Sequence, residues 1–222
     1  MQSKGIGQFL FTKFFADGKK VYGTFNTTPV QKEFDRYFYK VDIRNINEVK
    51  DFVGSIKNLH RVVLINCAGI IYNSFAHKAD LFRWKEVIDI NLIGTFNVIY
   101  SLLPIMRKEK YGRIINFSSV VAKMPTQGVS AYAASKAALI GLTKTLSIEN
   151  ASMGITVNSI NLGYTNAGMG ITDIPLINKK DIIEKIPKKR FCEPIEIYKT
   201  IHYIINTEYL TGSIIDLNGG LF

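Results

Sequence analysis

Two kinds of apolar run alternate along this chain. Short β-branched and aromatic runs read as strands: Val21-Tyr22-Gly23-Thr24-Phe25, then Arg36 to Val41, Arg61 to Asn66, Arg113 to Phe117, Ile155 to Ile160 and Ser213 to Leu217. The runs at 61–66 and 113–117 are almost unbroken in apolar character, the mark of strands covered on both faces. Longer segments with helical character separate them. Phe9, Phe11, Phe14 and Phe15 fit the buried side of a first helix, and Asn45 opens a second that reaches about Ile56. A long helix is expected from about Arg83 to Met106, another from Ala131 to about Asn150, and a last one from Pro194 to Ile205, with proline in its first turn. Strand–helix alternation of this kind predicts an α/β fold with a doubly wound parallel sheet and right-handed crossovers. In such sheets ligands sit beyond the carboxyl ends of the strands. No repeat, biased tract or linker interrupts the 222 residues, so one domain spanning 1–222 is expected.

Composition narrows the classes. With 47% hydrophobic and 21% charged residues the chain is far too apolar to be disordered. No uninterrupted apolar run reaches the roughly 18 residues a bilayer span needs, and the start lacks the apolar stretch of a secretory signal, so neither a membrane nor export is expected. Cys67 and Cys192 lie in no Cys-x-x-Cys or Cys/His cluster, and His60, His77 and His202 are scattered. A cytoplasmic setting with no metal site follows as the expectation. The net charge of +10 points to acidic partners. Its densest part is 178–190, where Lys179, Lys180, Lys185, Lys188, Lys189 and Arg190 face only Asp181 and Glu184. That stretch lacks the interleaved aromatics of a nucleic-acid site, so nucleic acid is not expected. It reads as a solvated lysine-rich helix or a charged rim beside a phosphate-bearing substrate.

The strongest chemistry lies in Tyr132-Ala133-Ala134-Ser135-Lys136. A spacing of four puts the phenol and the ammonium on one helix face. A phenol with pKa about 10 is a poor acid-base group at neutral pH, and a neighbouring cation is expected to pull it down. The pair can then exchange a proton with an alcohol oxygen. Ser119 follows directly on the strand ending at Phe117 and is placed to hold a carbonyl beside Tyr132, or else to cap a turn. Asn91 is an amide inside an otherwise apolar helix, which requires partners. Either a water or backbone bridge explains it, or it positions a water beside Lys136.

Taken in order, Asn66-Cys67-Ala68-Gly69, Asn91, Ser119 and Tyr132-x-x-x-Lys136 after a glycine-rich start resemble the short-chain dehydrogenase/reductases. The resemblance runs through Leu217-Asn218-Gly219-Gly220. It is strongest toward 3-oxoacyl-acyl-carrier-protein reductases, through Gly112-Arg113-Ile114-Ile115 and Gly154-Ile155-Thr156-Val157-Asn158, stretches that sugar, polyol and other alcohol dehydrogenases share. It implies a Rossmann-like oxidoreductase that reduces a carbonyl to a secondary alcohol. Tyr132 would donate the proton, Lys136 would lower its pKa and hold the nicotinamide ribose, Ser119 would orient the carbonyl, and Asn91 would complete a proton relay. Cofactor contacts would come from Ser3, Lys4, Gly5, Ile6 and Gly7 in the glycine loop, with Asn66, Ala68 and Gly69 on the ribose side. Asp42 and Ile43 would lie against adenine, and Gly163 and Thr165 near the carboxamide. The substrate would be a small molecule or an acyl thioester, carried on acyl-carrier protein or free, and the assembly a homo-oligomer, dimer or tetramer. No Asp or Glu follows the strand at 21–25 until Glu33, so nothing there repels a 2′-phosphate; with Lys4 and Asn26 nearby, NADP(H) is expected over NAD(H).

The chain also departs from the family pattern. Of the three loop glycines only Gly5 and Gly7 are present, and the strand that would precede them is missing. That strand would lie mid-sheet, between the runs at 21–25 and 61–66. Three outcomes are open: its neighbours close together, a gap remains, or the chain is a shortened version of a longer product with impaired cofactor binding, the reading favoured here. Phe9 and Phe11 are expected to face such a gap. Leu162-Gly163 replaces the family's Pro-Gly, Ala167 a threonine, and Met153 a basic residue for carrier docking, whereas Lys110 keeps its charge.

Overall fold

Among the described residues six strands form and all their pairings are parallel, yet they make two sheets. The computed structural model describes residues 5–27, 32–168 and 176–222. The smaller sheet pairs β1 (Gly23–Phe25) with β2 (Phe38–Lys40). The larger has the order β3–β4–β5–β6, from Val63–Asn66, Gly112–Ser119, Ile155–Leu162 and Ile214–Leu217. Its register sets Asn66 beside Asn116, Ser119 beside Leu162, and Leu162 beside Leu217, so the carboxyl ends lie along one side.

The pleat explains how both faces of the larger sheet are covered. Consecutive side chains point to opposite faces. Ile115, Phe117 and Ile160 pack with Leu10, Phe11 and Phe14 of α1 (Gly5–Ala16) and Ile197, Ile201 and Ile204 of α7 (Pro194–Asn206). Ile114, Ile155 and Val157 pack the other way, against Val53, Ile99, Leu102, Met106 and Leu146. Those come from α2 (Ile46–Ser55), α4 (Thr95–Glu109) and α5 (Ser130–Asn150). Local chemistry sets the helix starts. The Asn45 side chain accepts the Asn47 N–H at the head of α2, and Glu193 and Glu196 form a reciprocal capping box around Pro194. The lysine-rich segment supplies α6 (Leu176–Lys185).

The helix expected over 83–106 is three pieces in line. α3 (Leu81–Ile88) runs into a π-helical turn at Asp89–Gly94 and continues as α4. The wider turn frees backbone groups, and the Thr95 hydroxyl donates to the Asn91 carbonyl at 2.8 Å. This 29-residue stretch, Leu81–Glu109, is long and apolar enough to cross a membrane by length and composition alone. Asn91 and Asn97 interrupt its apolar run while leaving the average apolar. Here Ile99, Leu102 and Met106 lie buried in the core, whereas Ile93, Phe96 and Tyr100 are exposed.

β1 and β3 do not close on each other. A gap remains between the sheets, a cavity of about 730 Å³. Of the first helix's phenylalanines it is Phe14 that lines this gap, not Phe9 or Phe11. Phe11 is fully buried and engaged with Phe34 and Phe38, whose rings lie 5.1 and 4.5 Å away. The smaller sheet therefore joins the rest through helices rather than strand pairing.

Candidate active site

β4 carries its buried run to Ser118 and Ser119, and α5 begins soon after, at Ser130. Two hydrogen bonds fasten the helix to the strand end. Ser118 donates to the Lys136 carbonyl at 2.9 Å, and Lys136 Nζ donates to the Phe117 carbonyl at 2.8 Å. The ammonium also stands 5.6 Å from the centre of the Tyr132 ring. Ser119, whose Oγ accepts the Val121 N–H at 3.5 Å, is near enough to the Tyr132 phenol to lower its pKa. Serine, phenol and amine thus converge at the carboxyl end of the sheet.

Their electrostatics reverse the expectation that the lysine depresses the tyrosine. Burial pushes the Tyr132 phenol up to about 12, and Ser119 beside it offsets only part of that rise. Burial also brings the Lys136 amine down to about 8, against a small upward pull from Cys67. The reason is geometric. Nζ is committed to a backbone carbonyl and lies against the ring, while both groups have lost water, which disfavours the charged form of each.

Asn91 is completely buried and its amide is fully used. Its Oδ1 accepts the Ile70 N–H at 2.8 Å, and its Nδ2 donates to the Ile70 carbonyl at 2.9 Å and to Ser135 Oγ at 3.0 Å. Ser135 in turn donates to the Tyr132 carbonyl at 2.8 Å. The side chain is therefore a backbone bridge that ties the loop after β3 to the first turns of α5. Ser135 is a connection the sequence reading passed over, although it lies inside the quoted Tyr–Lys motif. Gly69 closes this corner: a Cβ there would lie 3.4 Å from Asn91 Oδ1 and 3.6 Å from Lys136 Nζ.

The other expected residues are spread around this centre. Asn66 donates to Asn116 Oδ1 at 2.8 Å, and with Ala68 it also lines the inter-sheet cavity. Ile43 lines that cavity and presses on the π turn, since a Cβ on Gly94 would lie 2.6 Å from its Cγ1. Asp42 is engaged by Arg44 at 2.6 Å, which holds its carboxyl below the usual range. Asn26 is exposed just beyond β1. Gly163 donates its N–H to Leu217 at 3.0 Å, and Thr165 is buried beside it. At the head of α1, Gly5 has φ +60°, and a Cβ there would meet Gly168 Cα at 2.9 Å. Only glycine permits both that conformation and that approach. Ile6 packs against the core and Gly7 is buried in the helix. Ser3 and Lys4 lie outside the described residues. Among the described residues no cluster of His, Cys, Asp and Glu could hold a metal ion.

The sequence profile described as short chain dehydrogenase matches residues 2–174. The chain is 35% identical over 196 residues to the 3-oxoacyl-(acyl-carrier-protein) reductase FabG of Staphylococcus epidermidis, covering 86% of this chain and 80% of that protein. It is 34% identical over 231 residues to the acetoacetyl-CoA reductase of Shinella zoogloeoides, covering 99% of this chain and 95% of the relative. Among solved structures, one described as ElxO with NADP bound superposes with a TM-score of 0.86 at 23% identity, over 99% of this chain and 95% of the other. That likeness bears on the fold.

Proposed function

This chain belongs to the short chain dehydrogenase family, and from that premise we propose that it reduces the ketone of a 3-oxoacyl thioester to a secondary alcohol, using NADP(H). The observation that carries this reading is the convergence of Ser119, Tyr132 and Lys136 at the carboxyl end of β4. Relatives named for acting on 3-oxoacyl-acyl-carrier protein and acetoacetyl-CoA support the substrate class.

The residues present fit a dinucleotide. A left-handed Gly5 opens α1, where the first amides of a helix lack internal partners and suit a phosphate. No carboxylate follows β1 until Glu33, so a 2′-phosphate meets no repulsion there. Ser3, Lys4, Gly5, Ile6, Gly7 and Asn26 would hold the phosphate side. Asp42, Ile43, Asn66, Ala68 and Gly69 would flank the adenosine, and Lys136, Gly163 and Thr165 the nicotinamide end. When bound, the nicotinamide supplies the hydride for the carbonyl carbon.

In this reading the protein's own residues handle the oxygen. Ser119 donates a hydrogen bond to the substrate carbonyl and fixes it beside the phenol. Tyr132, protonated far above neutral pH with its pKa near 12, passes its proton to that oxygen as negative charge develops. The resulting phenolate lies close to the Lys136 ammonium. Low dielectric, which disfavours each charge alone, strengthens their attraction once both exist. Asn91 acts at one remove, holding the Ile70 loop and Ser135 in place.

The cationic segment from Lys179 to Arg190 supports an acidic carrier as one vehicle of the thioester. Exposed Ile93, Phe96 and Tyr100 on the π turn and α4, with Ile148 on α5, support a homo-oligomer. The test is NADPH oxidation measured over 3-oxoacyl thioesters and keto-sugars. Thioesters are expected to lead by at least about tenfold in kcat/KM. Turnover confined to keto-sugars, or absent with every ketone, would overturn the reading.

A further inference from the structure

The loop from Ser119 to the head of α5 separates the two groups that must meet one carbonyl oxygen. We propose that Lys123 and Asp216 are positioning residues for Ser119, a role that rests on the reduction proposed above. By itself the loop is weakly held. Ser119 caps a 3₁₀ turn of only three residues, Val120–Ala122, and its Oγ accepts the Val121 N–H at a long 3.5 Å. The N–H groups of Lys123 and Met124, at 3.0 and 2.7 Å, share the single Val120 carbonyl. None of residues 121–128 is buried, so packing adds little. So short a turn needs tertiary support to persist. Two ties bind the ends of the loop. At the far end Ser74 donates its N–H to the Gly128 carbonyl at 2.8 Å. At the near end Lys123 Nζ reaches both carboxylate oxygens of Asp216, at 2.9 and 2.8 Å.

Asp216 is more than an exposed charge on an edge strand. β6 lies at the edge of the larger sheet, and a lone carboxylate there would do no more than discourage edge pairing. Here its Oδ1 also accepts Nδ2 of Asn161 at 2.5 Å, the residue directly opposite on β5. Asn161 is completely buried, and its own Oδ1 has no partner. Among the described residues Asp216 is therefore the one hydrogen-bond partner of that amide. Losing it would leave a buried donor unpaired as well, so the carboxylate is held firmly against the sheet. The ammonium then brings the turn to it. The register completes the path: Leu162, next to Asn161, lies opposite Ser119. The tie thus runs from the turn through β6 and β5 back to the strand end that bears the hydroxyl. Side-chain exposures of 39% for Lys123 and 35% for Asp216 leave the pair open to salt, so its strength is modest and adjustable.

The test is a double-mutant cycle with Lys123→Met and Asp216→Asn in the whole chain. It is read by kcat for a 3-oxoacyl thioester, by NADPH affinity and by amide hydrogen exchange. Asp216→Asn keeps an acceptor for Asn161 and removes only the charge, so the fold is retained. Each single variant is expected to lower kcat about fivefold, the reach of an ion pair this exposed, with KM and NADPH affinity unchanged. The double variant is expected to match either single one, because the two residues act as a unit. Lys123→Arg, which can still pair with the carboxylate, is expected to keep the parent rate within about twofold. Raising salt from about 0.05 to about 0.5 M is expected to lower the parent's kcat about twofold and to leave Asp216→Asn unchanged. Protection of the amides at positions 123 and 124 should fall in both single variants, a readout that needs no substrate. Additive losses in the double variant, no loss in either single one, or unchanged exchange would overturn the proposal. A parent that reduces no ketone, with exchange behaving as expected, would overturn the proposed function and leave the tie between Lys123 and Asp216 standing.

Discussion

The two sheets differ less in sequence character than in what supports them. β4 and β5 are eight residues long, buried along their whole length, and paired on both sides. β1 and β2 are three residues long, form only one ladder, and reach the rest of the molecule through α1 and α2. The proton-handling groups Ser119, Tyr132 and Lys136 sit entirely on the complete half. Asn26, Asp42 and Ile43, proposed for the cofactor, belong to the other. Others proposed for the cofactor, Asn66, Gly163, Thr165 and Lys136 among them, lie on the complete half, so only part of that proposed site depends on the smaller sheet.

The largest effect should come from the buried amine. Lys136→Met is expected to lower kcat by about 10³-fold. It should at the same time stabilise the fold by about 2 kcal/mol at neutral pH, because the amine's fall from 10.5 to about 8 reflects a charge held out of water. The sign follows from linkage. The folded state binds the proton less tightly than the unfolded chain, so the gain is full below about pH 8, shrinks toward 10.5 and vanishes above it. Denaturant titrations of both proteins across that range check this. The parent's kcat/KM for reduction should fall above about pH 8, following the amine rather than the phenol.

Hydrogen exchange compares the halves directly. Amides of β4 and β5 should open only with global unfolding, whereas those of β1 and β2 should open at a free energy lower by about 3 kcal/mol. Equal protection would show that the helices alone make the small sheet as firm as the large one. The smallest effect concerns cofactor choice. Asn26→Asp places a carboxylate where the 2′-phosphate is proposed, and should shift the NADPH/NADH preference by about tenfold toward NADH. It should leave the turnover of bound cofactor unchanged.

Much of this arrangement was legible in the sequence. The apolar run at 113–117 gave a fully buried strand, whereas the run at 61–66 gave a strand only over Val63–Asn66, with Val63 exposed; the cap at Asn45 and the proline at 194 gave helix starts, and the Tyr132–Lys136 spacing gave a shared helix face. Other features depend on tertiary contacts that no local pattern records. The π turn at Asp89–Gly94 has an ordinary helical sequence; it accompanies the clamp of Asn91 on Ile70, far away in the chain. The upward displacement of Tyr132 follows from the desolvation of its phenol, which a spacing of four does not reveal. A gap between β1 and β3 was one of several outcomes the missing strand allowed. Phe14 lines that gap because Phe11 is drawn into an aromatic cluster with Phe34 and Phe38.

The central claim is that one phenol on the complete half, Tyr132, protonates the substrate oxygen, and removing one oxygen atom tests it most directly. Single-turnover reduction of a 3-oxoacyl thioester by NADPH should be compared between the parent and Tyr132→Phe, with NADPH affinity measured alongside. The account predicts a loss of about 10³-fold in rate with affinity unchanged. Equal rates for the two proteins would contradict it.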